Sequence, residues 1–162
     1  MTLHISGATK EQLKTIRTTM SWTLKHFISE VGLNRIIINI QLCEFSNPKN
    51  HGYCTWADRH IKPREFLMEV QKALNGNALI HALIHECIHI NQFYKGHLSQ
   101  DLRTNEFRWK GKVVPQITDS YDEYLNFPWE REAYRLQKKL YKKFVHELYN
   151  HKKRADIKKL HK

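Results

Sequence analysis

The residues best suited to chemistry lie in one short segment, 78–92. Within it stand His85, Glu86 and His89, in the pattern H-E-x-x-H. On a helix, residues four apart lie on one face about one turn apart, so both imidazoles can reach a single Zn²⁺. Glu86 points to the side of that face, where it can act on a water molecule and not on the metal. This spacing is typical of a zinc hydrolase.

The remainder of this segment is mostly Ala, Leu, Ile and Cys, so we expect a largely buried helix over 78–94. Two histidines and a glutamate on a buried helix cost free energy unless a partner satisfies them. A metal ion would satisfy them, and a pair of hydrogen-bonded core histidines is the alternative. His81 and His97 flank the pattern, and we expect them near the site or at the surface rather than on the metal.

A third metal ligand is expected further along the chain, because a catalytic zinc site usually has three protein ligands and one open position. Segment 128–134 opens the last predicted helix, where the helix dipole favours a carboxylate. It contains Glu130 and Glu132. The two are two positions apart and face different ways, so only one can bind, and spacing alone does not choose between them.

A helix with H-E-x-x-H followed by a later helix with E-x-x-A resembles the gluzincin-type metallopeptidases. Their third ligand is a Glu three residues before a small residue, so the resemblance implies Glu130, with Ala133 as the small residue. A fuller pattern over about 51–135 resembles the small SprT-like metallopeptidases of bacteriophages. It comprises 51–54, 63–66, 84–92, Gly96, 109–112 and 128–134. SprT proteins proper usually carry a third histidine where this chain has Glu130.

These ligands predict a zinc-dependent metallopeptidase that hydrolyses peptide bonds in a peptide or protein substrate. Zinc would activate a water molecule, and Glu86 would take its proton as general base. By the same resemblance, the strand at 65–70 borders the cleft and an extended substrate adds to its edge. A further donor should contact the substrate or stabilise the oxyanion. The candidates for that donor are Tyr121, Tyr124, Tyr134 and His97.

Several elements must position these residues. Thr9, with Gln12 three residues later, forms a capping box that begins a helix over 9–31, and Gly32 ends it. Three short strands are expected at 35–45, 53–56 and 65–70. A hairpin over 107–114 turns at Lys110-Gly111, and Pro128 opens a long final helix.

The predicted fold class is therefore α+β, arranged as a minimal zincin-like domain. It has an N-terminal helix, a small three-stranded sheet, the active-site helix, a hairpin and a long C-terminal helix. The 162 residues suit one domain, predicted over 1–150, with a basic extension at 151–162.

The charge is strongly positive, with 27 Lys and Arg against 16 Asp and Glu, a net +11. Segment 138–162 holds ten Lys or Arg and two acidic residues. Such a segment can bind nucleic acid non-specifically through its phosphates, or it can be a solvated helix face. The alternative function is thus a nucleic-acid-binding protein with a structural or vestigial metal site, or a DNA-associated SprT-like protease.

The apolar runs are too short to cross a bilayer and the first residues lack the pattern of a secretory signal, so no membrane association is expected. We expect a cytoplasmic protein, in the host cytoplasm if a phage encodes it. Cys43, Cys54 and Cys87 are odd in number and lack a C-x-x-C spacing, which excludes a disulfide framework and a zinc ribbon. They are predicted to be buried thiols.

Overall fold

In a computed structural model of the chain, the described residues are 1–47, 49–58, 62–101, 103–115 and 121–160; of 121, 122 and 152–160 only the backbone is described. The described residues form five helices and seven strands. The helices are α1 (Lys10–Lys25), α2 (Glu30–Leu33), α3 (Gly76–Tyr94), α4 (Tyr121–Leu125) and α5 (Pro128–Leu160). The strands are β1 (Thr2–Ser6), β2 (Ile37–Cys43), β3 (Gly52–Trp56), β4 (Glu65–Gln71), β5 (Leu98–Gln100), β6 (Phe107–Trp109) and β7 (Lys112–Val114).

The main sheet has the order β1-β2-β4-β3, and its first three strands are parallel. Strand β3 pairs antiparallel with β4 at one edge. Along β2, every second residue is buried, as the pleat requires when one face covers a core. That core contains apolar residues of β2, β4, α1 and α3: Ile38, Ile40, Leu42, Phe66, Met68, Ile16, Met20, Leu24, Leu79, Leu83, Cys87 and Ile90.

The α+β class is confirmed, but the prediction of a three-stranded sheet is wrong, because β1 adds a fourth strand to it. Only Leu3 and Ile5 alternate in β1, a signal too short to identify a strand without its partner. The strand forms because β2, more than thirty residues later, supplies its hydrogen bonds. Strand β1 also precedes the helix that was expected to open the fold.

The first predicted helix is correct at its start and wrong at its end. The Thr9 side chain accepts from the Gln12 backbone and the Gln12 side chain accepts from the Thr9 backbone, so the capping box is present. Helix α1 ends at Lys25, and Ser29 caps the separate helix α2. Gly32 lies inside α2 and does not end a helix; a Cβ there would collide with the Tyr94 hydroxyl.

The strand predicted at 65–70 is present as β4, but it is not the edge along which a substrate could add. It lies between β2 and β3, and both of its hydrogen-bonding edges are used. The edge strand beside α3 is β3 instead. Sequence pattern places a strand but does not give its position in the sheet order, which explains the error.

The second sheet contains the predicted hairpin, with β5 as an additional strand. Lys110 and Gly111 have φ values of 49° and 82°, as a tight hairpin turn requires at both central positions. The short helix α4 lies between this hairpin and α5 in the chain.

The final helix begins at Pro128 as predicted, and α5 continues unbroken through residue 151. The proposed division of the chain near residue 150 stays a prediction. Helix α5 packs on α3 through a second apolar cluster, consisting of Ile84, Ile88, Ala133, Leu140 and Phe144. No helix in the described part of the chain combines the length and apolar character that a membrane span needs.

Candidate metal centre

Helix α3 carries the H-E-x-x-H residues through the middle of the molecule. It packs against α1, β3 and α5, so most of its surface is covered. Glu86 is 4% exposed and His89 is 6% exposed, while the side chain of His85 is 13% exposed. The polar groups therefore sit on an otherwise apolar helix, where they need specific partners.

Glu130, in the first turn of α5, is brought directly onto the two histidines. Its Oε2 lies 3.2 Å from His85 Nε2 and its Oε1 lies 3.2 Å from His89 Nε2. The two Nε2 atoms are 3.0 Å from each other. Ligand atoms of all three residues lie within 4.8 Å of one another, so this group could hold a metal ion.

The chemistry of these donors fits a divalent cation. Two imidazole nitrogens that face each other at 3.0 Å repel unless a proton or a cation lies between them. Two nitrogens and one carboxylate are a common ligand set of zinc sites that keep an open position. If the two histidines were only hydrogen-bonded core residues, they would not need the carboxylate of Glu130 beside them, and Glu130 is only 1% exposed.

Glu132, the other candidate for the third ligand, lies elsewhere. Its Oε2 accepts a hydrogen bond from Gln92 Nε2 at 3.1 Å, and its Oε1 lies 3.3 Å from Lys110 Nζ. Two positions along a helix correspond to opposite sides, which explains why only Glu130 reaches the histidines. The structure thus brings together the three residues that the gluzincin resemblance implied.

Each histidine also has a partner on its other ring nitrogen. His89 Nδ1 lies 2.8 Å from Gln92 Oε1, and His85 Nδ1 lies 3.4 Å from Gln137 Oε1. Gln137 Nε2 in turn donates to the carbonyl of His81, whose ring stacks on Tyr141. His81 therefore lies beside the site and outside the group of three, as expected.

The ionisation of this group follows from its contacts. Burial disfavours charge on His89, but the hydrogen bond to Glu130 and the charge of that carboxylate outweigh it and raise the pKa of His89 to about 9. Burial also opposes charge on Glu130, yet hydrogen bonds from His85 and His89 hold its pKa well below the usual range. At neutral pH the metal-free group therefore binds a proton where a cation would fit.

Glu86 lies beside this group and is not part of it. Burial raises the pKa of its carboxyl, although the nearby imidazoles of His89 and His85 oppose the shift. Gly52, the first residue of β3, lies directly against it, because a Cβ at that position would be 2.8 Å from Glu86 Oε1. Gly52 belongs to the pattern at 51–54, but its contact with Glu86 was not predicted, since nothing near it in the chain indicates this contact.

Two of the three cysteines are buried close to Glu86. Burial raises the pKa of Cys54 and of Cys87, and the charge of Glu86 adds to the shift in both. These thiols are therefore neutral and poorly reactive. The prediction of buried thiols is correct for these two and wrong for Cys43, which is half-buried on β2.

An open cleft of about 450 Å³ leads to the three grouped residues and to Glu86. Residues of β3, of α3 and of the start of α5 line the cleft. Aromatic side chains line much of the remainder: Trp56, Phe93, Phe107, Phe127 and Trp129.

The four candidates for a hydrogen-bond donor to the substrate or the oxyanion differ in their position relative to the cleft. Tyr124 lines the cleft and its hydroxyl donates to Glu130 Oε1 at 2.6 Å. Tyr134 also lines the cleft, with its ring centroid 4.7 Å from that of His85. His97 lies beside Trp109, outside the cleft lining. The side chain of Tyr121 lies outside the described residues.

Comparisons with protein-family models, with curated proteins and with solved structures find no match to this chain.

Proposed function

We propose that this protein is a zinc-dependent metallopeptidase in which His85, His89 and Glu130 bind the metal and Glu86 is the general base. The observation that carries the proposal is the convergence of the first three residues on one point, with the separate buried carboxylate of Glu86 beside them in the lining of an open cleft. Zinc held there would supply a Lewis acid and make water a stronger nucleophile near neutral pH.

Zinc is favoured by the types of the donor atoms. Imidazole nitrogens and one carboxylate suit zinc better than magnesium or calcium, which prefer oxygen ligands only. Three protein ligands leave a coordination position free, as a catalytic site requires. Glu130 and the histidines come from two helices that pack tightly through an apolar cluster, which would keep the site rigid.

The environment of Glu86 suits a general base. A base works best when its pKa lies near the working pH, and burial moves the pKa of Glu86 upward from its ordinary value. Its carboxylate would take a proton from the attacking water and deliver it to the departing amine. Tyr134 would donate a hydrogen bond to the developing oxyanion, since its hydroxyl-bearing side chain lines the cleft. The single hydroxyl proton of Tyr124 is donated to Glu130.

A peptide substrate is supported by the strand that borders the cleft. Strand β3 pairs with β4 along one side, and within the described residues no strand pairs with its other side. An extended peptide could hydrogen-bond to such an edge and pass over the three grouped residues. This mode favours flexible or unfolded substrates over compact ones.

The proposal is tested by Glu86→Gln, measured as cleavage of denatured casein by zinc-loaded protein. We expect a loss of about 10²- to 10⁴-fold in rate with unchanged zinc content, because the base is lost and the ligands are kept. Glu69→Gln is the matched control, because Glu69 is exposed on β4. Full activity of the Glu86 variant would contradict the assignment.

A second function, non-specific nucleic-acid binding, is supported by the surface of α5. Its exposed face carries Arg135, Lys138, Lys139, Lys142 and Lys143, and further basic residues follow to the end of the chain. Deleting 151–162 should weaken binding to duplex DNA and flatten its dependence on salt, because fewer counterions are released. An unchanged slope of log affinity against log salt concentration would show that this segment does not contact the DNA phosphates. A cytoplasmic protease held on nucleic acid by this basic segment would combine both functions.

A further inference from the structure

We infer that Gln92 is a positioning residue that fixes His89 in its metal-binding form and couples it to the helix that supplies Glu130; the inference rests on the metal site proposed above. Gln92 lies three residues after His89 on α3 and is completely buried. Both ends of its side-chain amide have hydrogen-bond partners. Gln92 Oε1 lies 2.8 Å from His89 Nδ1, and Gln92 Nε2 lies 3.0 Å from the Trp129 carbonyl and 3.1 Å from Glu132 Oε2.

The directions of these hydrogen bonds are fixed by chemistry. The Trp129 carbonyl and the Glu132 carboxylate can only accept, so the amide nitrogen of Gln92 must face them. The amide oxygen then faces His89, and an oxygen can only accept from Nδ1. His89 must therefore carry a proton on Nδ1, which leaves Nε2 as the atom that binds a metal. Glu132 thus sets the tautomer of His89 through Gln92.

The same amide couples the two helices of the site. Trp129 and Glu132 flank Glu130 along α5, one position before it and two positions after it. A single buried side chain of α3 is therefore attached to both flanks of the third ligand while it orients the second. This arrangement gives Glu132 a role that its spacing alone could not indicate. It also explains how ligands from two different helices are held in register.

His85 offers a comparison inside the same site. Its Nδ1 atom faces Gln137 Oε1 at 3.4 Å, which is longer than the 2.8 Å contact of His89. Gln137 is half-buried at the cleft, whereas Gln92 is fully buried. Gln137 is therefore the matched control, with the same side chain, the same type of contact and weaker geometry.

The test is the zinc dissociation constant of the full-length chain, measured by competition with a chromophoric chelator. Partners that orient a ligating histidine are worth about 10- to 100-fold in metal affinity, so we expect a loss of that size for Gln92→Leu and for Gln92→Glu. Gln137→Leu should cause a smaller loss. In Gln92→Glu the introduced carboxylate opposes the Glu132 carboxylate. Adding Glu132→Gln should recover affinity, because it supplies an N–H donor to that carboxylate.

A spectroscopic measurement separates orientation from general loss of structure. With zinc bound, the Nδ1 proton of His89 should give a slowly exchanging downfield NMR signal that Gln92→Leu removes and Gln137→Leu preserves. Thermal unfolding followed by circular dichroism identifies a variant that fails to fold. If Gln92→Leu fails, the test uses Gln92→Glu with and without Glu132→Gln, because glutamate keeps the size of the glutamine side chain.

Two results would overturn the inference, and they are distinguishable. In the first, the natural chain binds zinc tightly and the Gln92 and Gln137 variants bind it with equal affinity. This result would overturn the inference about Gln92 and leave the proposed metal site standing. Absence of zinc binding by the natural chain would overturn the proposed function and the role of Gln92 together.

Discussion

Gly52 provides the sharpest test of the position of Glu86. Gly52 begins β3 and does not have a positive φ, so alanine can adopt its backbone conformation without strain. Any effect of Gly52→Ala must therefore come from the added methyl group. That group would lie 2.8 Å from Glu86 Oε1, 3.0 Å from its Cγ and 3.1 Å from its Cδ.

The size of the effect follows from these contacts. Ordinary van der Waals contact begins at 3.4 Å, so the carboxylate oxygen must withdraw by 0.6 Å or more, or β3 must shift by a similar amount. A displacement of about 1 Å in a reacting group can lower the rate about 100-fold. We therefore expect a loss of about 10- to 100-fold in kcat for Gly52→Ala.

The assay is steady-state cleavage of denatured casein together with the zinc content of the same sample. Zinc should be retained, because the three atoms nearest the added methyl group all belong to Glu86 and none to the three grouped residues. Gly111→Ala is the control: Gly111 has a φ of 82° and no neighbour within 4 Å of an added Cβ. That variant should lose stability through strain in the hairpin turn and keep its kcat. An unchanged kcat for Gly52→Ala would refute the placement of the base.

Two further predictions concern protons and packing. Zinc must displace the proton that His89 holds up to about pH 9, so its apparent affinity should rise up to about tenfold per pH unit between pH 6.5 and 8.5. Calorimetry in buffers of different ionisation enthalpy measures this, and a pH-independent affinity would contradict it. Phe144→Ala should lower the free energy of unfolding by about 3–5 kcal/mol, because Phe144 is 2% exposed and packs on Trp22. Val145→Ala, at an exposed position, should lower the free energy of unfolding far less. Urea denaturation with chelator present measures both variants, and equal losses of unfolding free energy would contradict the packing of Phe144.

Local sequence signals predicted a large part of the fold. The capping box of Thr9 and Gln12, the turn at Lys110 and Gly111 and the start of α5 at Pro128 each depend on residues a few positions apart. Strand β1 and the internal position of β4 could not be predicted in the same way. Both depend on pairing between distant segments, and a local pattern does not specify which strands become neighbours.

The same distinction between local and distant contacts decides which parts of the site could be predicted. His85, Glu86 and His89 were predictable because their spacing along one helix determines their geometry. The choice between Glu130 and Glu132 depends on how α5 is rotated against α3, which spacing in the chain does not determine. The roles of Gln92 and Gly52 were missed because their decisive contacts lie more than thirty positions away.

The most direct test of the central claim is metal analysis of the purified full-length chain, with and without Glu130→Ala. We expect about one zinc ion per natural chain and a marked loss of zinc in Glu130→Ala. Glu132→Ala should retain far more, because Glu132 lies away from the histidine nitrogens and contacts Gln92 and Lys110 instead. A natural chain without zinc, or a Glu130→Ala variant that binds zinc as tightly as the natural chain, would contradict the account.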